Sequence, residues 1–317
     1  MSSYLVTGGA GFIGSNIAEE LLRRGETVRI LDNFSEGTRE NLDLMKHHGL
    51  SPLDYELIEG DIRDIKTCIL ACRGMDYVLH QAALRSVPRS VDQPSETNEV
   101  NVTGTLNILL ATREVSVKRV VYASSSSVYG SSAKLPQSET DMPAPLSPYA
   151  VSKLAAEYYC VVFSKIFGLE TVCLRYFNVF GPRQNPTSQY ATVIPRFILS
   201  ALHGRPLEIH GDGHQSRDFT YVSNVVEANI AAAMAPNVAG EVINIGCGEQ
   251  HSVKDAADTI AQILGRRLEH YNTEPRLGDV RHTRADISKA KSLLGYVNRV
   301  TFFEGMRKTI EHFGKRG

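Results

Sequence analysis

The run Tyr4-Leu5-Val6-Thr7-Gly8-Gly9-Ala10-Gly11-Phe12-Ile13-Gly14 decides the architecture. Four strand-forming residues meet a Gly-x-x-Gly-x-x-Gly turn, and Ser15 to Arg24 follows with helical spacing of its apolar side chains. In such a turn Gly8 permits the tight bend, Gly11 lets backbone approach a pyrophosphate, and Gly14 allows helix and strand to pack closely. The helix start offers free N–H groups to phosphate oxygens. A second strand-like run, Val28 to Asp32, ends in a carboxylate close to the spacing, roughly 20 residues, expected of an acid that accepts hydrogen bonds from both hydroxyls of an adenosine ribose. A carboxylate there repels the extra phosphate of NADP, so the expected cofactor is NAD. Arg39 pulls the other way, because a guanidinium can move toward a phosphate.

Similar short aliphatic runs recur at Tyr55 to Glu59, Tyr77 to His80, Arg119 to Ala123 and Thr171 to Arg175, separated by amphipathic stretches. This βαβ alternation predicts an α/β fold with a doubly wound parallel Rossmann sheet, whose ligands sit beyond the carboxyl ends of the strands. After about Asn178 the texture changes to Gly- and Pro-rich loops with helices near Val193 to His203, Val222 to Ala233, Val253 to Leu264 and Phe302 to Phe313. The expected organisation is an NAD-binding domain over residues 1–178, with 217–247 returning to it through the strand-like Glu241 to Ile245, and a smaller substrate-binding α/β domain over 179–216 and 248–317.

Composition excludes several other classes. Among 317 residues, 42% are hydrophobic and 22% charged, so the chain folds rather than staying disordered. Lys and Arg number 34 against 35 Asp and Glu, without a basic block, which argues against a nucleic-acid or anionic-membrane partner. Apolar runs are strand-sized, far short of the roughly 20 residues that span a bilayer, and no export signal precedes the first strand, so the expected location is cytoplasmic. Five Cys without a CxxC read as reduced and mostly buried, with Cys68 and Cys72 on one helical face. The ten His show no ligand spacing, and no metal is expected.

Two motifs carry chemistry. Tyr149-Ala150-Val151-Ser152-Lys153 puts a phenol and an ammonium on one face of a helix. To work as a base near neutrality, the phenol must fall from its ordinary value near 10 to about 7, roughly 4 kcal/mol of phenolate stabilisation, which Lys153 and a positive nicotinamide ring are expected to supply together. Ser124 to Ser127, followed by Val128-Tyr129-Gly130, lies at a strand end where its hydroxyls either reach a substrate oxygen or hydrogen-bond nearby backbone. Asp61, after the third strand, reads as an adenine contact or as a simple turn aspartate.

Together, Gly8 to Gly14, Ser124 to Gly130, Tyr149 to Lys153 and Arg175-Tyr176-Phe177-Asn178 resemble the extended short-chain dehydrogenase/reductases, in particular the nucleotide-sugar 4-epimerases, over nearly the whole chain. The resemblance implies a catalytic triad of Ser125, Tyr149 and Lys153, with Asn101 supporting the lysine. It implies NAD contacts from Phe12, Ile13, Asp32, Asn33, Asp61 and Ile62, and from Ala82, Ala83, Asn101, Lys153 and Tyr176. Arg217 and Arg276 match the family's two diphosphate arginines, and Asn178 a third diphosphate contact. Ser125, Ser126 and Asp279 belong to the implied substrate site.

Smaller signals bear on the reaction. Sugar-nucleotide dehydratases carry Asp-Glu, and glucuronate decarboxylases a Glu, where this chain has Ser126 and Ser127, so both chemistries lose support. Thr283 stands where epimerases confined to unmodified hexoses have Tyr, leaving room for a 2-acetamido group. His80 to Pro88, Gln184 and Tyr190 to Pro195, including Thr192, look like the subgroup acting on UDP-GlcNAc and UDP-GalNAc, although Arg85 departs from it. The expectation is C4 epimerisation of a UDP-hexose, either that pair or UDP-Glc and UDP-Gal, and the resemblance implies a homodimer paired through helices within Gln93 to Val115 and Pro148 to Phe167. Rivals are a UDP-glucuronate 4-epimerase, favoured if Arg85 meets a carboxylate, another enzyme of this frame, and a noncatalytic NAD sensor.

Overall fold

The computed structural model describes residues 1–45, 49–51, 53–130, 134–186, 192–274 and 280–315. The chain runs β1 (Ser3–Thr7), α1 (Phe12–Arg23), β2 (Thr27–Asp32), α2 (Arg39–Asp43), β3 (Tyr55–Glu59), α3 (Ile65–Cys72), β4 (Tyr77–His80), α4 (Val87–Asp92) and α5 (Pro94–Asn98). One turn of π-helix (Glu99–Thr103) leads into α6 (Gly104–Glu114), then β5 (Arg119–Ser125), a 3-10 turn (Ser126–Tyr129), α7 (Pro148–Phe167) and β6 (Glu170–Tyr176). The remainder is β7 (Val179–Phe180), α8 (Val193–Leu202), β8 (Leu207–His210), β9 (Ser216–Arg217), β10 (Thr220–Tyr221), α9 (Val222–Met234) and β11 (Glu241–Ile245). It closes with β12 (His251–Ser252), α10 (Val253–Leu264), β13 (His270–Thr273), α11 (Ser288–Leu294) and α12 (Phe302–Gly314).

A seven-stranded sheet of order β11-β6-β5-β4-β1-β2-β3, parallel at every pairing, forms the centre, as the alternation of strand and helix runs predicts. Strand order reverses beside β1, and the crevice opens there. Successive side chains leave a strand on opposite faces, so each strand feeds two cores. Tyr4 and Val6 meet Ile17 and Leu21 of α1 and Val225 of α9 on one face. Leu5 meets Cys68 of α3, Ile108 of α6 and Ala156 of α7 on the other. That double cover explains why β5 and β6 are buried almost throughout rather than alternating. β11 pairs with β6 from Glu241 opposite Val172 to Ile245 opposite Tyr176, so the late segment does return to the sheet.

The loops beyond the strand ends carry three two-stranded sheets, β7 with β10, β9 with β12 and β8 with β13. The described cysteines are all free and buried, and burial pushes the Cys68 and Cys72 thiols up to about 12.

Beneath the carboxyl end of β5 lies a buried ion pair that periodicity does not advertise. Glu157 of α7 takes Arg175 of β6 in a fork, at 3.0 Å from Nε and 2.7 Å from a terminal nitrogen, and the Ser124 hydroxyl donates to the same carboxylate at 2.6 Å. The guanidinium also packs over the Tyr129 ring, 4.7 Å from its centroid. Removing one partner of a buried pair strands the other's charge. Arg175→Met should therefore lower unfolding free energy by about 3–5 kcal/mol in urea denaturation, and the added Glu157→Gln change should recover a large part of the loss.

Candidate active site

The phosphate-facing turn is set by one close approach. A Cβ on Gly14 would lie 2.1 Å from the Gly8 carbonyl oxygen, and Gly8 itself has φ +64° with Ala82 backbone 2.8 Å from where its own Cβ would stand. Neither position accepts a larger residue without moving backbone. The N-terminus of α1 has no capping side chain and no acidic residue in its first turn, unlike α3, which Asp64 caps. Its first N–H groups remain available for an anion at the cavity floor.

Asp32, buried at the end of β2, accepts from Ala10 N at 2.9 Å through one oxygen and from Phe34 N at 2.8 Å through the other. Burial raises its pKa, while those two N–H groups pull it back. Asp32 lines the cavity, and each carboxylate oxygen, accepting one N–H, retains capacity to accept a further hydrogen bond such as one from a ribose hydroxyl. Arg39 is held away from that carboxylate, paired with Glu59 at 2.5 Å and stacked 4.4 Å from the Phe34 ring centroid. Asp61 is fixed by a fork from Arg63 and by Asn33 at 2.9 Å, and the Arg63 bonds hold its carboxyl down at about 2.

These groups line one cavity of about 750 Å³ with Phe12, Ile13, Ile62, Ala82 and Ala83. Tyr176 closes its floor, its hydroxyl bonded to Gln81 at 3.1 Å and Asn229 at 2.9 Å. The cradle fits a dinucleotide: uncapped helix N-terminus, glycine close approach, and a buried acid one strand away. Asn101 differs from the expected direct cofactor contact. It is fully buried and stands behind the cavity wall, its amide bonded to Leu84 backbone and to the Ser152 hydroxyl, so it supports α7 one residue before Lys153.

Ser125, Ser126, Tyr149 and Lys153 line the same cavity. Ser147 caps α7 by accepting from Ala150 N, which starts the helix with Tyr149 in its first turn and Lys153 one turn later. The Ser125 hydroxyl, close enough to Tyr149 to oppose the rise of its phenol pKa, receives Ser127 N at 3.2 Å and Ser127 Oγ at 2.9 Å. All four serines line the cavity, with the Ser124 hydroxyl committed to Glu157 and the Ser127 hydroxyl to Ser125.

Electrostatics here show what the protein supplies by itself toward the expected joint action of Lys153 and a positive nicotinamide ring. Burial raises the Tyr149 phenol above its ordinary value, and the opposing groups are the Ser125 hydroxyl and the Arg85 guanidinium, rather than Lys153. Lys153 donates to the Ala123 carbonyl at 2.8 Å over the Tyr122 ring, and burial pulls its ammonium down to about 7. Burial thus disfavours the charged form of both groups, and Lys153 is not among the groups that offset the rise of the phenol.

Farther along the cavity, Thr283 is buried, accepting from Asp218 N and donating to Asn178 Oδ1, each at 3.4 Å. Asp218 pins this wall by accepting from Cys247, Gly248 and Ala285 N–H groups, and burial pushes it up to about 6. Arg217 is buried with one nitrogen on Ser216 and Arg281 carbonyls. Gln184 bonds the Thr192 hydroxyl at 3.0 Å. Arg85, Asn178, Gln184, Thr192 and Arg217 all reach the cavity, whereas Arg276, Asp279 and Tyr190 lie outside the described residues. Sequence reading missed Glu157, Arg175 and Asp218 as supports; a carboxylate four residues after Lys153, on the helix's inward stripe, was the available signal.

A family model described as NAD dependent epimerase/dehydratase matches residues 4–246. A UDP-glucose 4-epimerase of Mycolicibacterium smegmatis is 39% identical over 312 residues, covering 98% of this chain and 97% of its own. The structure of a UDP-N-acetylglucosamine 4-epimerase from Methanobrevibacter ruminantium M1, in complex with UDP-N-acetylmuramic acid, superposes with a TM-score of 0.93 at 37% identity, covering 100% of this chain and 99% of that one. A Thermus thermophilus UDP-glucose 4-epimerase in complex with NAD gives 0.89 at 38%, covering 99% of both chains. The chain belongs to the NAD dependent epimerase/dehydratase family, and its place there is among the NAD-dependent UDP-sugar 4-epimerases.

Lys153 yields a pH test. Its folded value near 7 lies below the ordinary 10.5, so the folded cofactor-free protein is penalised below pH 7, and the penalty fades as pH rises to 10.5. Lys153→Met should raise the melting temperature of NAD-free protein at pH 6 and give no gain near pH 10.5, read by calorimetry across pH.

Proposed function

We propose that the protein interconverts a UDP-hexose with its C4 epimer, taking UDP-GlcNAc and UDP-GalNAc, and UDP-Glc and UDP-Gal as well. The observation that carries this reading is a cavity wall of Ser125, Tyr149 and Lys153 in which Ser126 and Ser127 occupy the places an elimination would need for an added acid and base. Bound NAD supplies a hydride acceptor that can return the hydride to the same carbon, and brings a positively charged ring. Tyr149 Oη takes the proton of the C4 hydroxyl and gives it back to the inverted oxygen. Ser125 Oγ donates to that oxygen in both orientations, and the Lys153 ammonium adds positive charge behind the phenol. Enclosure by the cavity holds the 4-ketose while it turns.

Arg217 and Asn178, with Arg276 and Asp279, form the diphosphate and sugar wall in this reading, since a buried pyrophosphate without cations carries a large desolvation penalty. NAD contacts follow the cradle from Gly8, Gly11 and Gly14 to Asp32, Asn33 and Asp61. Residues 1–178 with 217–247 serve as the NAD domain, and 179–216 with 248–317 as the sugar-nucleotide domain. The buried Thr283, small and hydroxylic beside Asn178, supports acceptance of a 2-acetamido group. Apolar side chains left exposed along α7, among them Val151, Tyr158, Val162 and Ile166, support a homodimer through this helix. Five free buried thiols are consistent with a cytoplasmic place.

Incubation with sugar nucleotides deuterated at C4 tests the reaction: both epimers should form and keep the label. A deoxy-keto product, or label washed into water, contradicts it, and exclusive turnover of UDP-glucuronate gives the reaction to the Arg85 alternative. Tyr149→Phe should lower kcat by at least a hundredfold and leave NAD bound, whereas a sensor would be untouched. Thr283→Tyr should cut kcat/KM for UDP-GlcNAc tenfold or more and spare UDP-Glc, in keeping with overpacking costs of ~1–3 kcal/mol.

A further inference from the structure

A line of fully buried polar groups runs from the strand that carries the glycine turn to the helix that carries Tyr149. Thr7, His80, Thr105, Asn101 and Ser152 are each 2% exposed or less. The contacts are Thr7 Oγ1 to His80 Nδ1 at 2.6 Å, His80 Nε2 to Thr105 Oγ1 at 3.0 Å and Thr105 Oγ1 to the Asn101 carbonyl at 2.6 Å. From the Asn101 side chain the line continues to Ser152 Oγ at 3.0 Å, and from there to the Tyr149 carbonyl at 2.8 Å.

Its polarity is forced. Leu84 N–H must donate to Asn101 Oδ1 at 2.8 Å, which turns the Asn101 amide nitrogen toward the Leu84 carbonyl and Ser152. Ser152 therefore accepts from Asn101 and spends its own proton on the Tyr149 carbonyl, which can only accept. Thr105 likewise spends its proton on the Asn101 carbonyl, so the facing His80 Nε2 must carry hydrogen. Nδ1 is then bare and accepts from Thr7. Every donor points the same way, from the residue before Gly8 to the backbone of Tyr149. The Asn101 link lies in the π-helical turn Glu99–Thr103, the kind of local irregularity found where a helix re-aims a side chain. His80 fits the neutral ring this needs, since burial holds it down at about 3.

We propose that His80, Thr105 and Ser152 are positioning residues that lock the first turn of α7, and with it the Tyr149 phenol, to the glycine turn. The proposal rests on the proposed role of Tyr149 as proton carrier, but half of its test does not. A reversed or missing donor leaves buried groups unpaired in its own segment, and the two segments, Thr7 to the Asn101 carbonyl and the Asn101 amide to Tyr149, share the one Asn101 turn, so loosening either frees the same support.

The test combines ring nitrogen NMR of the NAD-loaded protein with kinetics on Thr105→Val, Ser152→Ala and their double variant. The His80 ring in the unaltered protein should be neutral with hydrogen on Nε2. In Thr105→Val, whose side chain offers that hydrogen no acceptor, it should move to Nδ1, while Thr105→Ser keeps the original state. Each single variant should lose kcat about tenfold at nearly unchanged KM, and the double variant no more than either. Thr105→Ser should restore kcat. Hydrogen on Nδ1 in the unaltered ring, losses that multiply to about a hundredfold in the double variant, or a folded Ser152→Ala with full kcat would each overturn the proposal. The ring spectrum needs no sugar nucleotide, so a failed epimerase assay with the stated ring state would discredit the reaction and not the line.

Discussion

Burial of a phenol and an ammonium on one cavity wall is the constraint on which the rest of the site depends. Taking either group out of water disfavours its charged form, so the fold alone keeps Tyr149 protonated and brings Lys153 down to about 7. Burial thus works against charge on both groups of this wall. In the proposed reaction, proton transfer by Tyr149 then requires positive charge to arrive with a ligand, and the same enclosure that raises the phenol makes such a charge act strongly. In that sense the cavity couples cofactor occupancy to basicity.

Holding two such groups in place takes rigid support, and the structure concentrates it on α7. The helix buries Ala156, Cys160 and Phe163 in one core, grips β6 through Glu157 and Arg175, and meets the Asn101 turn through Ser152. Apolar packing alone would let the helix slide or rotate at modest cost. The directional bonds from Ser152 and Glu157, on either side of Lys153, remove that freedom, which matters because a misplacement of about 1 Å at a reacting group can cost around a hundredfold in rate.

The central sheet and the glycine turn were legible in the sequence because they rest on local signals. Period-two and period-3.6 patterns are written within ten or twenty residues, and the Gly8, Gly11 and Gly14 spacing follows from backbone sterics. Tyr149 and Lys153 were legible for the same reason, as neighbours on one helix face. The return of Glu241 to Ile245 was readable as a strand run, although its partner was not. What pattern could not give was long-range: Glu157 meeting Arg175, Asp218 gathering Cys247, Gly248 and Ala285, and the place of Asn101 behind the wall instead of on it. Charge balance also depends on three-dimensional burial, which spacing on a helix does not report and which acts on Tyr149 and Lys153 alike. That Thr283 is buried beside Asn178 is likewise visible only in the fold.

The most direct measurement of this account is a tyrosinate difference spectrum, recorded from pH 6 to 11 on NAD-loaded and NAD-free protein, with Tyr149→Phe as the reference. The account predicts one tyrosine that ionises well below pH 10 in the loaded protein, is missing from Tyr149→Phe, and withdraws above pH 10 when NAD is removed. A Tyr149 that ionises at the same pH in both states, or above pH 10 with NAD bound, would contradict it.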